Sequence, residues 1–157
     1  MFSVEIKGID DMIRSLDGMM AELRIQKDEL PKQCAIVLST GIVKNIVTQG
    51  LPFSAVPYGE KYKKWKQVAV GHLDFWRLYG DMIGNIMAFP EGDGGWTAGI
   101  VPGSRNREGK GIAWYAGINE AKRPLFGPSR EQFKNEMWDQ LGKQALNKVV
   151  KRWKQKR

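Results

Sequence analysis

The chain has 157 residues, with 42% hydrophobic and 27% charged side chains and a formal charge of +8, the proportions of one soluble domain able to bury its own core. Six Trp, six Phe and four Tyr exclude a chain disordered throughout, and a single cysteine, Cys34, with a single histidine, His72, excludes a disulfide framework and leaves a zinc site short of ligands. No apolar run nears the roughly 18 residues of a membrane-spanning helix, and MFSVEIKGIDD lacks a basic-then-apolar signal pattern, so a soluble protein made in the cytoplasm is expected.

Residues 2–7 alternate, with Phe2, Val4 and Ile6 on one side, and predict a half-buried strand ended by Gly8. Asp10 or Asp11 then caps a first helix. Ile9, Met12, Ile13, Leu16, Met19, Met20 and Leu23 recur at three- and four-residue steps, an amphipathic stripe expected to face a core. A second helix is expected from about Asp28, with Pro31 in its first turn, where a missing N–H matters little. From Cys34 to Val47 it is apolar on most of its circumference, which predicts a central helix covered on more than one side. Cys34 reads there as a small buried hydrophobe.

Residues 50–72 read as a long loop, and long loops are usually functional. Lys61, Lys63, Lys64 and Lys66 interleave with Tyr58, Tyr62 and Trp65. The combination resembles a stacking-and-charge surface for single-stranded nucleic acid. The preferred reading is an arm that packs its aromatics on a neighbouring subunit.

Leu73, Trp76 and Leu78 or Tyr79 suggest a short helical turn. Two strands follow, at residues 82–89 and 96–101, joined by PEGDGG, with Gly92, Gly94 and Gly95 supplying positive φ angles. Glu91 and Asp93 are too few for calcium, and residues 102–111 fail the spacing of a phosphate-binding loop. Residues 112–119, IAWYAGIN, fit either a third strand or a short helix. Ser129 is placed to cap a last helix, in which Phe133, Met137, Leu141, Ala145, Val149 and Trp153 step by four. This helix, at about 129–157, is expected to project from the domain. Residues 140–157 hold seven Lys or Arg and no carboxylate, while the body of the chain is nearly neutral. Such a tail is open to three readings: a solvated helix end, an acidic protein partner, or a phosphate backbone.

His72 has no nucleophile motif near it, and the acidic pairs Asp10–Asp11 and Asp28–Glu29 sit at helix starts, where the macrodipole favours them. No enzymatic activity, catalytic residue, metal or cofactor is therefore expected.

The order of these elements is distinctive, and several short motifs accompany it. Leu78, Gly80, Met82, Ile83, Asn85 and Ile86 open the hairpin, Tyr115, Ala116 and Glu120 follow it, and RPLFGPS from Arg123 to Ser129 leads the last helix. With the opening VEIKGIDDMIRSLDGM, this resembles a family of tailed-bacteriophage morphogenesis proteins, the tail-completion and head–tail joining components. The resemblance implies an α+β fold in a single domain, a small antiparallel or mixed sheet packed against two N-terminal helices, with a long C-terminal helix. It also implies a structural virion protein: a ring-forming neck subunit, hexameric by preference, that joins tail to capsid around the DNA channel. Its partners would be copies of itself, neighbouring connector and tail-tube or terminator proteins, and the genomic DNA. Tyr58, Tyr62, Trp65 and Trp153 are then candidate subunit contacts. Lys61, Lys63, Lys64, Lys66, Lys148, Lys151, Arg152, Lys154, Lys156 and Arg157 are candidates for contact with DNA or an acidic partner. The competing expectation is a nucleic-acid-binding module built on residues 58–66.

Overall fold

A computed structural model describes residues 9–49, 57–76 and 80–155. The expected strand at residues 2–7, Leu78, Tyr79, Lys156 and Arg157 lie outside the described residues. The fold is α+β and mostly helical. In chain order it comprises α1 (Ile9–Thr48), α2 (Glu60–Val70), β1 (Ile86–Glu91), β2 (Gly95–Ile100), α3 (Ile112–Lys122), α4 (Phe126–Met137) and α5 (Lys143–Lys154).

The two expected N-terminal helices are one. α1 runs unbroken for 40 residues through Pro31, about 60 Å at 1.5 Å per residue. Proline removes one helical hydrogen bond, but Gln26 to Leu30 before it and Lys32 to Val37 after it are mostly good helix formers. α1 is also held by tertiary contacts, because α4, α5 and both strands of the β-hairpin pack against it.

The core sits at the C-terminal end of α1. Ile42 and Ile46 are buried with Trp76, Ile86, Ala116 and Leu125, so the mostly apolar half of α1 is covered on several sides, as its composition predicted. The Trp76 ring stands edge-on to Phe126 at 5.6 Å, and its Nε1 donates to the Arg123 carbonyl at 3.0 Å. These contacts hold Trp76 at φ +59°, a conformation that a bulky side chain rarely adopts. Asn45 crosses from α1 to α4, donating to Ser129 Oγ at 3.1 Å and Gln132 Oε1 at 2.8 Å.

The sheet has two antiparallel strands among the described residues, with Ile86 opposite Ile100 and Glu91 opposite Gly95. β1 starts four residues later than expected, because residues 83–85 form a tight helical turn. The hairpin turn is made by Asp93 at φ +61° and Gly94 at φ +77°, so Gly92 and Gly95 are not the left-handed positions. The segment open to two readings, 112–119, is helical: Ile112 and Ala116 are buried and Tyr115 and Asn119 half-buried, a helical period.

Ser129 does not cap the last helix. It is buried one turn inside α4, which begins at Phe126. The exposed donors at that helix start are met instead by the Glu120 carboxylate of α3, which accepts from the backbone of Leu125 at 2.8 Å and of Phe126 at 3.2 Å. α4 continues through a π-helical turn at Trp138–Gly142 into α5. The terminal helix does not stand free of the domain, as expected, but lies along α1. The four-residue row explains this: Ala145 and Val149 are buried, and Phe133, Met137, Leu141 and Trp153 are partly so.

Close approach of α4 to α1 depends on Gly41, where an added Cβ would lie 2.3 Å from the Phe133 ring. Gly41→Ala is expected to lose about 1–3 kcal/mol of stability through overpacking, read as a lower urea midpoint with unchanged slope. An unchanged midpoint would show that the Phe133 ring moves aside freely.

Candidate functional site

The loop expected at 50–72 contains a helix. Between Glu60 and Val70 there is no Gly or Pro, and Gly71 ends the helix at φ +79° with its N–H bonded to the Gln67 carbonyl. α2 sorts the candidate lysines by face. Lys61 and Lys64 are exposed, and Lys63 pairs with Glu60 at 2.6 Å. Lys66 corrects the expectation of a surface contact: it is 1% exposed, so it is no part of an exposed basic face that could lie along a DNA backbone.

Lys66 is buried because a hydrophobic helix face is absent here and an aromatic cluster takes its place. The Tyr58 ring lies tilted against those of both Tyr62 and Phe75, with centres 4.9 Å apart in each pair. The Lys66 ammonium sits 4.7 Å from the Tyr58 ring centre, and the Arg123 guanidinium lies 4.3 Å from the same ring. The ammonium donates to the Asp74 carbonyl and, at 3.4 Å, to the Tyr58 phenol oxygen Oη. No carboxylate lies within ion-pair distance of it among the described residues. Loss of water pushes Lys66 down to about 8, with the Arg123 charge adding to the shift and the Asp74 charge opposing it. Burial likewise pushes the Tyr58 phenol up to about 12, so it stays protonated.

A cavity of about 110 Å³ opens beside this cluster, with Tyr58, Tyr62, Lys66, Asp81, Asn106 and Tyr115 among its lining residues. Sequence reasoning missed it, since its walls come from α2, the segment before β1, the loop after β2, and α3. The remaining candidates lie elsewhere. Trp65 is 47% exposed and Tyr62 similarly so, while Tyr58 is half-buried and unavailable as a stacking platform. Lys148, Lys151, Arg152 and Lys154 are exposed on α5, and Trp153 is half-buried on the row that packs along α1.

The largest departure from expectation is on α1. Ile9, Met12, Ile13, Leu16, Met20 and Leu23 do not face a core; together with Ile25 they are 41–60% exposed. The side that α1 buries in this half carries Ser15 and Gly18. At about 100° per residue, that side lies roughly a third of a turn from the apolar stripe. The pattern therefore identified an apolar face correctly and its cover incorrectly. On α5, Leu146 is also bare.

Among the described residues no group of three or more His, Cys, Asp or Glu is placed to hold a metal, and no helix is long and apolar enough to cross a membrane. Comparisons with protein-family models, curated proteins and solved structures find no match to this chain.

The folded chain holds the Lys66 proton less tightly than the unfolded chain, where lysine keeps its ordinary 10.5. Between pH 8 and 10.5 unfolding takes up a proton, so this group's penalty is full below pH 8 and fades as pH rises. Lys66→Met should therefore stabilise the protein at pH 7 by about 1–3 kcal/mol, with the gain shrinking toward pH 10.5. Urea unfolding of both proteins at pH 7 and 10 checks this; a destabilised variant at pH 7 would contradict it.

Proposed function

We propose that this chain is a structural virion protein, a ring-forming tail-completion or head–tail connector subunit that joins tail to capsid around the DNA channel. The observation that supports this reading most is the bare apolar stripe of α1, from Ile9 to Leu23. A monomeric soluble protein rarely leaves so long a row of large apolar side chains in water, and a subunit buries such a row against its neighbour. The family resemblance of the hairpin and RPLFGPS motifs supplies the virion context. Ring closure needs two different patches on each subunit, and the basic outer side of α5 is a second surface of distinct chemistry. Lys148, Lys151, Arg152 and Lys154 suit either an acidic neighbour or phosphates in a channel. On this reading the protein lies in the neck of the virion and performs no catalysis.

A second reading has its own support on α2. Tyr62 and Trp65 are exposed, their rings 5.2 Å apart, beside the exposed Lys61 and Lys64. That is a small platform for single-stranded nucleic acid. It is the weaker reading, because burial of Lys66 and half-burial of Tyr58 shrink the platform to one helical turn.

The test is Leu16→Glu, which places a charge in the middle of the stripe. Light scattering after size exclusion should show the parent chain as a multimer of several copies and the variant at or near monomer mass, with unchanged circular dichroism. A parent that stays monomeric at high concentration and instead binds single-stranded DNA, with affinity falling steeply in salt, would favour the second reading.

A further inference from the structure

The Lys66 ammonium is a buried cation with an incomplete set of partners. It has three N–H donors and two acceptors, the Asp74 carbonyl and the Tyr58 hydroxyl. Both acceptors are neutral; the Asp74 carboxylate, beyond ion-pair distance, favours the ammonium charge, and the Arg123 cation opposes it. An unpaired buried charge is unfavourable, and an anion that reaches it gains strongly because little water competes.

The cavity beside Lys66 offers a second donor of the same kind. Asn106 uses its Oδ1 to accept from the backbone of Glu108 at 3.0 Å and of Lys110 at 2.8 Å, which fixes the amide and leaves its NH2 group to donate. Asn106 and Lys66 both line the cavity. Among the described residues the one carboxylate in its wall, Asp81, already has a cation: Arg107 Nε lies 3.5 Å from its Oδ2, and the Arg107 backbone N–H points at the same oxygen. Asp81 is thus partly neutralised, and Lys66 is the cation in the cavity wall. About 110 Å³ holds a carboxylate with a short aliphatic stem and little more.

We propose that this cavity is a carboxylate-binding site, in which Lys66 supplies the charge and Asn106 a directional hydrogen bond. The occupant is either a small free acid or the acidic side chain of a neighbouring polypeptide, since both present the same end group. The site is independent of the assembly reading above. It also gives Lys66 a reason to be lysine: a bound anion offsets the unfavourable burial of its charge.

The experiment is thermal unfolding at pH 7 with sodium acetate replacing sodium chloride at constant ionic strength, and in parallel with a blocked Gly-Asp-Gly peptide. Ligand that binds only the folded chain raises the melting temperature and the rise follows ligand concentration. A saturable rise of about 2–5 °C is expected for at least one ligand, absent in Lys66→Met and reduced in Asn106→Leu. Saturation at lower concentration by acetate assigns the site to a free acid, and by the peptide to a protein side chain. If Lys66→Met does not fold, Asn106→Leu, which keeps the lysine, carries the comparison. No rise with either ligand, or the same rise in the variants, overturns the proposal.

Discussion

α1 is about 60 Å long, and the core reaches only one end of it. That mismatch organises the molecule. Ile42 and Ile46 anchor the C-terminal end among Trp76, Ile86, Ala116 and Leu125, while the hairpin, α3 and the start of α4 gather around them. Toward the N-terminus the α4–α5 side is the main cover among the described residues, and one helix can shield only one side of another. The apolar stripe of α1 falls on a different side from Ser15 and Gly18, so the chain's own fold leaves it bare.

The second organising feature is polar. Tyr58, Lys66, Phe75 and Arg123 join α2 to the rest of the chain by cation–ring contacts rather than by an aliphatic seam. Gln49 reinforces this region, accepting from the Phe75 backbone N–H at 2.8 Å and donating to its carbonyl at 3.2 Å. Such a cluster is directional, and it holds two positive charges close together. On the carboxylate-site proposal, stability and binding pull in opposite directions at Lys66.

Local patterns were legible in the sequence and long-range ones were not. The apolar half of α1, the hairpin and the four-residue row from Phe133 to Trp153 were readable because each buries a regular face. The join between the expected first two helices was misread, because Pro31 is a local stop signal that tertiary packing overrode. α2 was hidden by the Gly and Pro around it, although residues 60–70 contain neither. The stripe from Ile9 to Leu23 was visible, but periodicity reports an apolar face and says nothing of what covers it. Lys66 reads as one more solvated lysine among four; its burial depends on Tyr58, Phe75 and Arg123, the last 57 residues away, and no local signal encodes that.

The central claim is that the stripe on α1 is covered by another copy of the chain. Amide hydrogen exchange at low and high protein concentration addresses it at residue level. The account predicts that protection over residues 9–25 rises with concentration while that of Ile42 and Ile46, already buried, stays constant. Equal exchange of residues 9–25 at both concentrations, in samples shown to contain the multimer, would contradict it.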